Sequence, residues 1–94
     1  MRRKNGDTCE TCGREVPLTF HHLIPRKMHR RAHFRRNFSK EVLNEGVYLC
    51  RRCHTGIHKT YDEMTLAKEF NTVGSLLRDE TLARHFQWVA RQKS

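Results

Sequence analysis

The sequence has no apolar run that approaches the roughly 18 consecutive residues a membrane-spanning helix requires. Its first residues are basic, but the apolar stretch of a signal peptide does not follow them, so we expect a cytoplasmic protein. No stretch rich in proline, glycine and serine divides the 94 residues. These absences predict one small domain that has no membrane partner.

Acidic residues are scarce, with 10 Asp and Glu against 19 Lys and Arg, and the formal net charge is +9. The whole excess lies in residues 1–60, because residues 61–94 hold five residues of each sign. No acidic residue occurs between Glu15 and Glu41, an interval that carries seven Lys and Arg. Such a field attracts polyanions, nucleic acid first and acidic membranes second, and a solvated basic face is the alternative interpretation.

Short β-forming segments and helix-capping residues predict an α+β chain. We expect one strand over residues 18–24, ended by Pro25, and a second over 47–49 that runs into Cys50. The basic stretch 26–40 is expected to be mostly loop with a helical turn. Helices are expected from Ser39 as N-cap to Leu43, over 51–59, from Asp62 over 63–70, and from Asp79 over 80–92.

The chain divides into three segments: a basic flexible tail over 1–8, a metal-stabilised core over 9–60, and a helical extension of the same domain over 61–94. In the last helix, four apolar residues fall on one face, namely Leu82, Phe86, Val89 and Ala90. We interpret them, together with Trp88, as core or as a partner surface. A homodimer through these helices is one such arrangement.

The four cysteines form two Cys-x-x-Cys pairs, Cys9/Cys12 and Cys50/Cys53, separated by 37 residues. In a reducing compartment, two such pairs predict a tetrahedral structural Zn²⁺ site rather than disulfides. A thioredoxin-like redox role for one pair is the alternative, but no βαβ pattern accompanies it. Gly13, after Cys12, can adopt the positive φ of a tight turn.

Four of the seven histidines occur in two pairs. His54 and His58 are four residues apart on a predicted helix and can therefore converge on one ion. His21 and His22 are adjacent on a predicted strand, so their side chains point in opposite directions and one can join the metal while the other meets substrate or water. For His29, His33 and His85 we expect ordinary surface or core roles, although the first two can also contact phosphate.

Three stretches in this order resemble the small bacterial HNH endonucleases: Cys9-x-x-Cys12, then Phe20-His-His-Leu-Ile-Pro25, then Leu49-Cys-Arg-Arg-Cys-His-Thr-Gly-Ile-His58. The resemblance spans about residues 9–60. It implies a ββα-metal fold with a two-stranded antiparallel sheet on a four-cysteine zinc ribbon, followed here by C-terminal helices. It also implies hydrolysis of DNA phosphodiester bonds by an HNH endonuclease.

By this resemblance, His22 is the general base, and His21, His54 and His58 hold the catalytic divalent ion. Mn²⁺, Ni²⁺ and Zn²⁺ suit a three-histidine site, and Mg²⁺ suits it less because that ion prefers oxygen ligands. The central asparagine of the family lies five residues before the third cysteine, where this chain has Glu45. We therefore assign it to Asn44, one residue earlier, with Asn37 as the second candidate.

DNA is the expected partner, and RNA is the alternative nucleic acid. The backbone phosphates of the nucleic acid are expected to contact basic side chains, with little sequence specificity. The expected contacts are Arg26, Lys27, Arg30, Arg31, Arg35, Arg36, Arg51, Arg52 and Lys59. Two other classes stay open: a non-catalytic zinc-ribbon module that binds nucleic acid, and an adaptor that acts through residues 61–94.

Overall fold

The computed structural model describes residues 3–4 and 8–92, and the helices and strands follow from local sequence signals. The strands are β1 (Arg3–Lys4), β2 (Leu18–His22) and β3 (Gly46–Cys50). A 3-10 helix spans Arg26–Met28. The α-helices are α1 (Ala32–Asn37), α2 (Lys40–Leu43), α3 (Arg51–Thr60), α4 (Glu63–Glu69), α5 (Val73–Arg78) and α6 (Glu80–Ala90).

The predicted two-stranded antiparallel sheet is confirmed as the pair β2 and β3. Thr19 lies opposite Leu49 and His21 lies opposite Val47 in this register. The two residues of β1 pair antiparallel with β2 and make it the central strand. Residues 3–4 thus belong to the sheet, although residues 1–8 were predicted to form a flexible tail. Residues 1, 2 and 5–7 lie outside the described part of the chain.

The basic stretch 26–40 is more helical than predicted, because apolar residues within it give it a buried side. Met28 and Phe34 join Ile24, Leu43 and Ala67 in a small core cluster. The arginines of this stretch lie on its exposed side. The expectation of a loop with one turn was therefore wrong, since a 3-10 helix and α1 occupy nine of these residues.

Most other elements are as predicted, because capping residues mark where they begin. The side chains of Ser39, Asp62 and Asp79 accept hydrogen bonds from the backbone N–H three residues on, at the starts of α2, α4 and α6. Three elements end early: β2 at His22, α4 at Glu69 and α6 at Ala90. The sequence reading did not separate α5, which begins with a capping box of Thr72 and Ser75.

The larger core cluster joins the sheet to the C-terminal helices. Leu18 and Leu49 from the sheet pack with Ile57 of α3 and with Leu82, Phe86 and Val89 of α6. Ala90 and Trp88 are exposed, so of the two interpretations given above, core or partner surface, they do not belong to the core. Within residues 8–92, no helix is both long and apolar enough to cross a lipid bilayer.

Helices α3 and α6 approach closely at Gly56. A Cβ atom at this position would overlap the imidazole ring of His85. The ring is held there because its Nε2 donates a hydrogen bond to the backbone oxygen of Arg52 at 3.0 Å. The absence of a side chain at Gly56 thus allows α6 to pack against the helix that carries His54 and His58.

Candidate metal centres and active site

The four cysteines form one cluster at the end of the sheet. Their sulfur atoms lie within 4.8 Å of one another. Cys9 and Cys12 lie in a turn, Cys50 ends β3, and Cys53 lies in the first turn of α3. The Sγ atoms of Cys12 and Cys50 are 3.7 Å apart, too far for a disulfide and close to the roughly 3.8 Å between thiolates that share a tetrahedral Zn²⁺. The four side chains can therefore hold a structural zinc ion.

Backbone geometry pre-forms the first of these turns. Gly13 has a φ of 80°, as the sequence predicted, and its N–H donates to the oxygen of Cys9 at 2.8 Å. The N–H of Cys9 in turn donates to the oxygen of Arg14 at 3.0 Å. In the second turn, the N–H of Cys53 donates to the Sγ of Cys50 at 3.4 Å. Both turns thus direct sulfur atoms toward one centre.

The side chain of Arg14, which sequence reasoning did not select, contacts the cysteine cluster. Its Nη2 donates to the Sγ of Cys50 at 3.5 Å, and its Nη1 donates to the oxygen of Gln92 at 3.3 Å. The hydrogen bond to Cys50 raises the pKa of Arg14 further above its ordinary value. A permanent cation beside four thiolates offsets part of their negative charge.

Three histidines form a second cluster, which lies between β2 and α3. One nitrogen each of His21, His54 and His58 lies within 4.8 Å of the others. The ring centroids are 5.1 Å, 5.2 Å and 5.0 Å apart for the pairs 21–54, 21–58 and 54–58. His21 comes from β2, and the other two come from one face of α3. Three nitrogen ligands can hold one divalent ion and leave positions open for substrate.

All three imidazoles are held in the form that binds metal. Burial, together with the neighbouring His54 and His58, lowers the pKa of His21 to about 3. Burial and the neighbouring His58 lower the pKa of His54 to about 4. Burial also lowers the pKa of His58, against the opposing effect of Glu63. These rings are therefore neutral at pH 7, with lone pairs available to a cation.

The buried His21 is the clearest sign that the cluster fits an ion. Its side chain is 1% exposed, and neither ring nitrogen has a hydrogen-bond partner among the described residues. A buried polar group without a partner is costly, whereas a bound cation would satisfy one of these nitrogens. The donor set of three neutral nitrogens suits transition metals and zinc better than Mg²⁺.

A threonine orients one of these rings. The Oγ1 of Thr19 lies 2.8 Å from Nδ1 of His54 and also donates to the oxygen of Leu49 at 3.2 Å. Sequence reasoning missed Thr19, although its position two residues before His21 on the same strand places both side chains on one face of the sheet. The alternation of side chains between the two faces of a strand could therefore have identified Thr19 as a neighbour of the histidine cluster.

His22, assigned as the base, ends β2 and is half-buried. Its ring packs edge-on against Phe20, with centroids 4.8 Å apart, and against His29 at 5.6 Å. The Nε2 of His29 donates to the backbone oxygen of Ile24 at 2.7 Å. The structure thus places His29, for which we expected an ordinary role, beside His22.

The two candidate asparagines occupy different places. Asn44 directly follows α2 and caps it, because its backbone N–H donates to the backbone oxygen of Lys40, and it lines a hollow together with His29. The side chain of Asn37 donates to the backbone oxygen of His33 at 2.7 Å, within its own helix. Of the two, only Asn44 lines the hollow that His29, the neighbour of His22, also lines.

All nine basic residues selected for DNA binding are exposed. Lys27 is in part neutralised, because its Nζ lies 3.5 Å from a carboxylate oxygen of Glu63. Arg51, Arg52 and Lys59 line a cavity of about 560 Å³ between α3 and α6. This cavity also includes Arg14, His85 and Trp88, which the sequence analysis did not assign to a site.

The family comparison covers the part of the chain that carries both clusters. A family model described as HNH endonuclease matches residues 9–60, which is more than half of the chain. The search of curated proteins and the search of solved structures each gave no match.

Proposed function

The chain belongs to the HNH endonuclease family, and from that premise we propose that it is a metal-dependent endonuclease that hydrolyses DNA phosphodiester bonds. One observation carries the proposal: three neutral histidine nitrogens converge within 4.8 Å, and a fourth histidine, His22, follows the most buried of them. A binding module has no need of this arrangement. Phosphodiester hydrolysis needs both a cation at the phosphate and a base for water.

The general base in this proposal is His22. Its half-buried ring lies at the end of β2, in contact with His29 and Phe20, which restricts its orientation. In the neutral form it accepts a proton from the water that attacks phosphorus. His29 and Asn44 support this end of the strand as positioning residues, because both line the hollow beside it.

His21, His54 and His58 are the ligands of the divalent ion in this proposal. When bound, such an ion supplies charge stabilisation to the phosphoryl oxygen and to the departing 3′ oxygen. The buried His21 fixes the inner side of the site, whereas the exposed His58 borders solvent, from which substrate arrives. The products expected from the family resemblance are a 5′-phosphate and a 3′-hydroxyl.

Affinity for DNA would come mainly from exposed arginines and lysines that meet backbone phosphates. Such contacts depend steeply on salt and carry little sequence information. We therefore propose nicking or double-strand cleavage with low sequence specificity. Because Lys27 already pairs with Glu63, its contribution should be smaller than that of Arg30 or Arg31.

The test is cleavage of supercoiled plasmid by the zinc-loaded protein in a series of divalent ions. We expect nicked and linear products with Mn²⁺, Ni²⁺ or Zn²⁺. His22→Ala should lower the rate by about 100-fold or more, since general-base catalysis contributes factors of this order. Gln87→Ala removes an exposed polar side chain of α6 and serves as the control.

Zinc content and far-UV circular dichroism of each variant establish that the fold is retained. If the folded protein binds plasmid but does not cut it in any of the divalent ions, the nuclease proposal is wrong and the non-catalytic binding module replaces it. If His22→Ala cuts at the wild-type rate, the base is another group.

A further inference from the structure

The cavity between α3 and α6 is rich in positive charge. Arg14, Arg51, Arg52 and Lys59 contribute to its lining, and none of the described residues that line it is acidic. The three from α3 are exposed. Three exposed cations on one concave surface favour an anionic ligand of extended shape, such as a phosphodiester strand.

One wall of this cavity is an aromatic side chain that the core does not use. Trp88 is 50% exposed, and it is the only tryptophan of the chain. The guanidinium carbon of Arg52 lies 5.7 Å from the centre of its ring, and the ring of His85 stacks beside it at 6.1 Å. Half of the Trp88 side chain is nevertheless exposed, so a flat ligand can reach the indole beside Arg52 and His85.

The cavity borders the histidine cluster. Thr19 lines it and contacts His54 at 2.8 Å. Thr55 and Lys59, which also line it, each follow one of the histidine ligands on α3. A nucleic acid strand whose phosphate meets the three histidines would therefore extend along α3 into this cavity.

From these contacts we infer that the cavity binds one unpaired nucleotide of the substrate strand, with its base stacked on Trp88 and its phosphates beside Arg51, Arg52 and Lys59. Bases within a duplex have both faces covered by neighbours, so a flap, a single strand or an extruded base is the form that fits. The inference rests on the proposed nuclease function and names its preferred substrate class.

The sole tryptophan makes the site directly observable. We would titrate zinc-loaded His22→Ala protein with a twelve-residue oligothymidylate, and with a duplex of the same length, while recording tryptophan emission. We expect saturable quenching by the single strand at a lower concentration than by the duplex. In parallel, anisotropy of the labelled oligonucleotide should show about 5- to 150-fold weaker binding for Trp88→Ala, the range for loss of one aromatic–base stack.

Two further variants separate stacking from general effects. Trp88→Phe retains a stacking face, so its affinity should lie between those of Trp88 and Trp88→Ala. Leu77→Ala removes a similarly exposed apolar side chain, 43% exposed, from outside the cavity, and should bind as tightly as the parent protein. Unchanged affinity in Trp88→Ala, or absence of quenching, would overturn the inference.

The outcomes for the two proposals are distinguishable. Plasmid cleavage without an effect of the oligonucleotide on Trp88 would keep the nuclease and remove the nucleotide site. Quenching with no cleavage in any divalent ion would keep the nucleotide site and remove the hydrolysis. A change of emission with protein concentration alone would reveal a second copy seated on Trp88 and would overturn the inference.

Discussion

The hydroxyl of Thr19 contacts Nδ1 of His54 at 2.8 Å and the backbone oxygen of Leu49 at 3.2 Å. When the hydroxyl donates its single hydrogen to Leu49, it accepts a hydrogen bond from the Nδ1–H of His54. The lone pair of His54 is then left on Nε2 as the ligand atom for the histidine cluster. An outer hydrogen bond of this kind orients a metal-binding imidazole and raises its basicity.

The variant Thr19→Val should therefore weaken binding of a divalent ion to the histidine cluster by about 10- to 100-fold. Valine keeps the shape and the strand propensity but removes the acceptor. Isothermal titration of the zinc-loaded protein with Ni²⁺ measures the affinity, and Thr19→Ser, which keeps the hydroxyl, is the control. Equal affinity of the valine and serine variants would show that Thr19 does not orient the ring.

The variant Gly56→Ala should destabilise the fold by about 1–3 kcal/mol, because its Cβ would overlap the ring of His85. Chemical denaturation measures the change. His85→Ala creates the space, so the double variant should lose less stability than the two single changes add up to. If the losses of stability in the two single variants simply add in the double variant, then α6 moves away from α3 and the Cβ of Gly56→Ala does not clash with His85.

Removal of zinc should unfold the protein, since the four-cysteine cluster ties the N-terminal turn to the junction of β3 and α3. A strong zinc chelator should abolish the helical far-UV circular dichroism, and added Zn²⁺ should restore it. Cys53→Ala should reproduce the unfolded spectrum without chelator. A spectrum and melting temperature unchanged after complete removal of zinc would contradict a structural role.

The sequence predicted the features that depend on local spacing. The two Cys-x-x-Cys turns and the pair His54 and His58 each lie within one turn of chain, so residue type and interval alone bring their side chains together. The positive φ of Gly13 and the caps at Ser39, Asp62 and Asp79 are local in the same sense.

Contacts between distant segments were not predictable in this way. Arg14 contacts Cys50, 36 positions away, and His85 contacts Arg52, 33 positions away.

The exposure of Trp88 could have been predicted, because 3.6 residues per turn places it about 120° around α6 from Leu82. The helices within residues 26–40 were not predicted, because the charged residues of this stretch outnumber its few buried apolar residues, such as Phe34.

Stability should fall in acid through His21. Its pKa is about 3 in the folded protein, lowered by burial and by nearby histidines, against an ordinary value of 6.5. The unfolded chain therefore binds a proton below pH 6.5 that the folded chain does not bind until about pH 3, so the stability contribution of this group decreases as the pH falls through that window. Above pH 6.5 both states are neutral and the contribution is constant.

The measurement compares the free energy of unfolding of wild type and His21→Leu between pH 7 and pH 5, with one zinc per chain and no further divalent ion. Leucine does not titrate, so the variant should gain up to about 2 kcal/mol relative to wild type over this interval. Leu77→Ala changes an exposed side chain that does not titrate and should keep the pH dependence of the wild type. Parallel curves for wild type and His21→Leu would show that His21 titrates normally and that its burial does not hold it neutral.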